Sequence, residues 1–276
     1  MKTILLLSAK EVREGLRNRW VLAATGLLAA LALTLAFLGS APTGSVGAGA
    51  LDVVVISLAS LTIFIVPLIA LLISHDAIVG EIDRGTMTLL LSYPVRRSQV
   101  LVGKFLGHIA ILAFATCVGY GLAAVALLAT GKAIGGGSWT AFTTMTASSV
   151  LLGAVFVAIG YLVSALVRDR GTAGGIAIGV WLVFVVIYDM ALLGLLVADQ
   201  GQSVGGGVLD ALLLLNPTDA YRLLNLAGSD EIAAASGMGG IVQSAALEPA
   251  ALLAALVAWI VAPMALAAAA FSRREL

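Results

Sequence analysis

Phe142–Val167 reads FTTMTASSVLLGAVFVAIGYLVSALV and is closed at once by Arg168-Asp169-Arg170. These 26 residues carry no charged side chain. About 20 mainly apolar residues in a helix cross the hydrocarbon core of a bilayer, so the stretch predicts a transmembrane helix. A barrel strand would show alternation over about ten residues, whereas the apolar run here is continuous.

Five more stretches of the same kind flank it: Trp20 to Leu38, Val53 to Ser74, Phe105 to Thr130, Thr172 to Ala198 and Ala250 to Phe271. Spans three to five are long enough to require tilt or overhang into the headgroups. Composition agrees. Hydrophobic residues make up 61% and charged residues 11%, with a mean hydropathy of +1.10, against roughly 25% charged residues in soluble domains. Too little polar surface exists to cover a soluble core, and the same numbers exclude disorder. Fifteen Lys and Arg balance fifteen Asp and Glu, so net charge points to no nucleic-acid partner. One cysteine, Cys117, offers neither a disulfide framework nor a metal cluster.

The positions of the basic residues set the orientation. Thirteen Lys and Arg fall in the N-terminal segment, in the loops after spans two and four and in the tail; only Lys132 and Arg222 fall on the other side. Both termini are therefore expected in the cytoplasm, as an even number of spans requires. Ile4 to Leu7 is too short for the apolar region of a cleavable signal peptide, so the first span is expected to serve as the targeting signal.

Three segments outside the spans carry information. In residues 4 to 20, Leu5, Ala9, Val12, Leu16 and Trp20 recur at helical spacing, with Lys10, Glu11, Arg13, Glu14 and Arg17 on the other faces. This predicts an interfacial helix on the cytoplasmic leaflet, within residues 1–19. Residues 199–249 form the last external segment. It is acidic, and its apolar stretch Val208 to Leu215 is too short to span, so a re-entrant or interfacial helix is expected. Asn216-Pro217 marks a turn, with Thr218 or Asp219 as a cap for the next helix. The segment is either a docking platform for an external protein or a lid packed on its own helices. Loops 39–52 and 131–139 are rich in small residues and show no recognition chemistry.

The third segment is the loop 75–104. Gly85 to Ser92 fits a short helix stopped by Tyr93-Pro94, because proline keeps the preceding residue out of the α region. It carries Met87, Leu89, Leu90 and Leu91 amid charge. Such a helix offers apolar knobs to a groove on another protein. Arg96 and Arg97 beyond it are placed to snorkel to anionic lipid.

Glu81, Gly85-Thr86, Leu89-Leu90-Leu91, Pro94-Val95, Arg96-Arg97 and Gly103-Lys104-Phe105 together resemble the first cytoplasmic loop of type-2 ABC exporter permeases. Arg17-Asn18-Arg19-Trp20, Asp76 to Glu81, Gly103 to His108 and Asn216 to Arg222 narrow the resemblance to the permeases of NosDFY systems, which mature nitrous oxide reductase. It covers essentially the whole chain. It implies an all-α integral membrane fold of six spans with both termini inside, as a single transmembrane domain over residues 1–276. It also implies a homodimer in the bacterial inner membrane, a NosF-like cytoplasmic ABC ATPase, a NosD-like periplasmic protein, and export of a sulfur species toward copper-site assembly. In that family the loop-one helix is the coupling helix on the ATPase, which would make Glu81, Asp83, Arg84, Gly85, Thr86, Met87, Leu89 and Leu90 its contacts. Asn216, Pro217, Asp219, Tyr221 and Arg222 would meet the external partner.

The chain has no P-loop of its own. Gly103-Lys104 and Gly131-Lys132 lack both the first glycine and the Ser or Thr that follows the lysine. ATP and Mg are thus expected on the partner, with no cofactor held by this chain and no catalysis in it. Asp189, deep in span five, is either a pathway residue or a buried carboxylate paired with Tyr188 or a polar group of another helix. Gly171, Gly175 and Gly179, four apart, allow close helix approach, either at a dimer seam or within one subunit. His75 and Asp76 are adjacent and do not share a helix face, which argues against a metal site. His108 reads as an interfacial histidine. A permease for another small molecule or a lipid is the alternative within the family. A secondary transporter is disfavoured by the lack of an internal repeat, and an intramembrane enzyme by the isolation of Asp189.

Overall fold

The computed structural model describes residues 2–38, 50–129, 135–199, 206–226 and 247–274, and every regular element among them is a helix. The expected spans appear as α2 (Arg19–Leu38), α3 (Ala50–Ser74), α6 (Arg97–Ala129), α7 (Gly136–Leu166), span five and α12 (Pro249–Arg273). Five of the helical stretches are long and apolar enough to cross a membrane, and Val21–Phe37 within α2 is a shorter apolar one. Span five is composite. It runs as α8 (Arg170–Leu182), a π-helical turn (Val183–Ile187) and α9 (Tyr188–Asp199).

Outside the spans lie α1 (Lys2–Leu16), α4 (Val79–Asp83), α5 (Thr86–Leu91), α10 (Gly206–Leu215) and α11 (Pro217–Leu226). The short helix α4 is an addition to the expected plan. Gly85 separates it from α5 with φ +71°, a left-handed turn that glycine adopts without strain. Most of the small-residue loops, and residues 200–205 and 227–246 of the external segment, lie outside the described residues.

Helix α7 is the centre. Helices α3 and α12 pack along it, α6 packs on another side, and α1 and α2 cover α6. Its mid-section, Leu152 to Tyr161, is buried throughout. Tyr161 is sealed by Phe105 edge-on and accepts or donates a 2.8 Å bond with His108 Nδ1. Span five, by contrast, leaves most of its surface outside the bundle. A Cβ built on Gly175 or Gly179 would have nothing within 4 Å among the described residues, so tight packing against them does not account for that part of the glycine stripe.

Arg97, expected with Arg96 to reach lipid, instead caps a helix, and Arg274 of the tail caps another. Arg97 Nη1 donates to Phe271 O at 2.6 Å and to Arg274 O at 2.7 Å, at the C-terminus of α12. Arg274 Nη1 donates at 3.2 Å to Ser164 O and Ala165 O, at the C-terminus of α7. The last carbonyls of a helix are unpaired and negative, which draws cations as strongly as a lipid headgroup does.

Candidate coupling site

The interfacial helix α1 divides its faces differently from the apolar stripe of its sequence. Leu5 and Leu6 point away from the bundle. The inner face is Ile4, Leu7, Ser8 and Glu11, laid against α6. The approach is close because α6 presents Gly103 and Gly107. A Cβ on Gly103 would lie 2.7 Å from Leu7 Cβ and 3.2 Å from Ile4 O; one on Gly107 would lie 2.5 Å from Glu11 Cβ and 3.2 Å from Ser8 O. Small residues four apart thus seat α1 on α6 backbone to backbone.

That proximity brings Glu11 to Lys104. Lys104 Nζ donates to Glu11 Oε1 at 2.6 Å and meets Glu81 Oε1 at 2.7 Å. Lys104 is 4% exposed and both glutamates are 9% exposed. One ammonium therefore ties three elements: the interfacial helix, the loop-one helix α4 and span three. Such buried ions hold only because they are paired. Glu11 also lies 3.9 Å from His108 Nε2. The sequence reading assigned these residues separately, as a polar face, a partner contact and an orienting charge. Their separation along the chain, 93 residues for Glu11 and Lys104, leaves no local signal of the triad beyond Gly103-Lys104-x-x-Gly107 itself.

Behind the triad, the start of α4 is pinned to α7. The Ile78 and Val79 amides donate to Ser164 Oγ at 3.0 and 3.1 Å. Asp76 pairs with Arg170 of α8 at 2.7 Å, while His75 Nδ1 turns to the carbonyls that end α3. The adjacent pair His75 and Asp76 thus points to two different partners.

The expected ATPase contacts now divide. Met87 is fully buried and Leu90 and Leu91 are half-buried against the same core. Glu81 is occupied by Lys104. Met87, Leu90 and Leu91 turn inward because a two-turn helix bordering an apolar bundle buries its inner side in its own chain, and Glu81 does so because Lys104 draws it. Asp83, Arg84, Gly85, Thr86 and Leu89 remain exposed, and Leu89 is 66% exposed. A cleft of 810 Å³ opens beside this region, with Glu11, Glu14, His75, Asp76, Arg84, His108 and Arg170 at its polar end and α2 and α3 side chains such as Leu27, Ile65 and Leu72 along its apolar wall.

On the far side of the bundle, the residues expected to meet an external partner turn inward. Asn216, Thr218, Asp219 and Tyr221 are buried, and Pro217 with them. The correction has a local reason in the π-turn of span five. There the Tyr188 amide donates to Val183 O, five residues back, instead of to Phe184 O. The orphaned Phe184 carbonyl is taken by Asn216 Nδ2 at 3.0 Å and lies 3.3 Å from Thr218 Oγ1. Asn216, rather than Thr218 or Asp219, caps α11: its Oδ1 accepts from the Thr218 amide at 3.1 Å, ahead of Pro217 in the first helical position. Asp189 is paired, and its partner comes from the external segment instead of Tyr188. Arg222 Nη2 donates to Asp189 Oδ2 at 2.5 Å and Nη1 to Asp219 Oδ1 at 2.7 Å. Tyr188 donates to Leu212 O at 2.7 Å and Trp259 to Leu214 O at 3.2 Å, which hold α10 in turn.

The architecture is that of a transport subunit: apolar spans, an interfacial helix, a loop-one helix exposed on one edge and no catalytic constellation among the described residues. Two relatives are similar along their whole length. The chain is 45% identical to "Probable ABC transporter permease protein NosY" of Stutzerimonas stutzeri over 276 residues, 99% of each chain. It is also 45% identical to the protein of the same name in Pseudomonas aeruginosa over 277 residues, the whole of each. A family profile described as "ABC-2 family transporter protein" matches residues 5–276. The chain belongs to the ABC-2 transporter family, as a multi-pass permease subunit and not an enzyme.

Proposed function

We propose that this chain is the membrane half of an exporter of the inner membrane, driven by a cytoplasmic ATPase that docks on α5. The ATPase would be NosF-like, the external partner NosD-like, and the exported species sulfur-containing, destined for copper-site maturation of nitrous oxide reductase. The name shared by the two relatives supports this assignment. Two copies of the chain would pair, with span five as the seam; its open glycines Gly175 and Gly179 and its exposed Ile176, Ile178 and Leu182 support that choice.

The observation that carries the coupling role is the two-sidedness of loop one. Leu89 projects outward at the tip while Met87, one helical face away, is locked in the core. A partner that grips Leu89, Asp83 and Arg84 would therefore pull on a body fastened at its back. Displacement of α4 would pass through Glu81 to Lys104, and from there to span three and the interfacial helix together. Burying Leu89 in a partner groove contributes about 1.5–3 kcal/mol.

Leu89→Asp is expected to release the ATPase in co-purification while the chain inserts and folds as before. Met87→Asp is expected to unfold the chain, because it places a carboxylate in the core. If the Leu89→Asp chain retains its ATPase and stimulates hydrolysis as the parent does, the docking role is wrong. Reconstituted vesicles offered a sulfur donor or a lipid then separate the cargo classes.

A further inference from the structure

We propose that Asp189 and Asp219 hold one proton between them, so that the contact of α11 with span five is a proton-binding site. The first observation is one of charge. Two carboxylates meet one guanidinium, an excess of one negative charge at a place where Asp219 is 1% exposed. An unneutralised ion in such surroundings costs several kcal/mol, and taking up a proton is the usual relief. The second is one of satisfaction. Asp219 Oδ1 accepts from Arg222 and Oδ2 from Asn216 Nδ2 at 3.1 Å, and Asp189 Oδ2 accepts from Arg222. Asp189 Oδ1 is buried and accepts from nothing among the described residues. The one guanidinium of Arg222 bonds both carboxyl groups and so brings them together. A proton on one of them supplies the O–H that this orphan oxygen lacks, and removes the repulsion between them.

The groups on the surrounding elements do not cancel the excess. Helix α7 carries no charged side chain, and α12 has only Arg273, at its opposite end. Helix α3 contributes Asp52 at its outer end and α10 contributes Asp210, both acidic. Tyr188 points its hydroxyl at Leu212 O, and Tyr221 bonds Ser149 at 3.0 Å. Arg222 is the one cation near the pair among the described residues. Burial, opposed in part by Arg222, pushes the Asp219 carboxyl up to about 7. The sign follows: the contact between α11 and span five is fully formed below the ordinary carboxylate range and weakens as pH rises through about 7. Loss of the proton leaves two like charges facing each other and unlatches α11.

The test is an infrared pH titration of the full-length chain with its ATPase in lipid nanodiscs, with isotope-labelled aspartate. A protonated-carboxyl band is expected in acid and is lost with a midpoint near 7. Asp219→Asn and Asp189→Asn should each abolish it. Hydrogen-exchange protection of the α11 amides should fall along the same titration in the parent and stay level in Asp219→Asn. A parent protein with no protonated-carboxyl band, or a band that survives both substitutions, overturns the proposal. Protection unchanged across the titration overturns the unlatching. The parent titration needs no variant, so a misfolded variant cannot shelter the proposal.

Discussion

Lys104 and Arg222 solve the same problem in opposite halves of the molecule. Each is a cation between two carboxylates, and each gathers an element outside the spans onto one within them. Their surroundings differ. In the Lys104 cluster, which borders the 810 Å³ cleft, the ammonium meets both glutamates directly. The Arg222 cluster contains a buried oxygen with no donor among the described residues. The lysine has three donors and reaches both glutamates at 2.7 Å or less. The arginine spreads its fork over two aspartates whose remaining oxygens must find other partners. The first cluster behaves as a fixed joint, suited to pass force between loop one, span three and the interfacial helix. The second is a latch whose strength depends on a proton. Hydrogen-bond satisfaction, more than the count of charges, separates joint from latch.

The joint is tested most directly at Lys104. Lys104→Met strands two buried glutamates, and removal of one partner from such a group costs about 3–5 kcal/mol. Thermal unfolding in lipid should show a large loss, with α1 released from α6 and its amides exposed to exchange. A variant as stable as the parent would mean that the joint is ornamental. At the other cluster, Arg222→Met is expected to cost less, about 2–3 kcal/mol, because protonation can neutralise the aspartates that remain. The defect should shrink in acid and grow in alkali, whereas plain loss of packing would leave it unchanged with pH. Smaller again is Gly107→Ala. The added methyl meets Glu11 Cβ and the Ser8 carbonyl, and such overpacking costs about 1–2 kcal/mol. It should lift α1 off its seat on α6 and lengthen the Glu11–Lys104 contact. Coupling of ATP hydrolysis should suffer more than stability does.

The spans were legible because a bilayer imposes length and apolarity on each helix separately. Predicted and observed ends agree to within a few residues at α2, α3 and α12, and α6 begins earlier because Arg97 to Lys104 continue the same helix outside the apolar run. Charge partners were not legible. Glu11 looked like one member of a solvated face, and only the close seat provided by Gly103 and Gly107 turns it inward. Asp189 was recognised as costly and a polar group of another helix was one of its expected partners, yet which group was not evident: it lies 33 residues on, in a segment read as either a docking platform or a lid. The π-turn that orphans Phe184 O has no pattern of its own in Val183–Ile187, a plain apolar run. What packs locally could be read from the chain; what is satisfied at a distance could not.

The separation of Asp189 from Arg222 has a consequence for biosynthesis. At about 5–20 residues per second, roughly 2–7 s pass between the synthesis of Asp189 and that of its counter-ion. During that interval span five carries a bare aspartate, which on insertion scales weighs about 2.5–3.5 kcal/mol against entry into lipid. The nascent helix therefore enters the bilayer with that penalty unrelieved, and the arrival of Arg222 settles an insertion begun without its counter-ion.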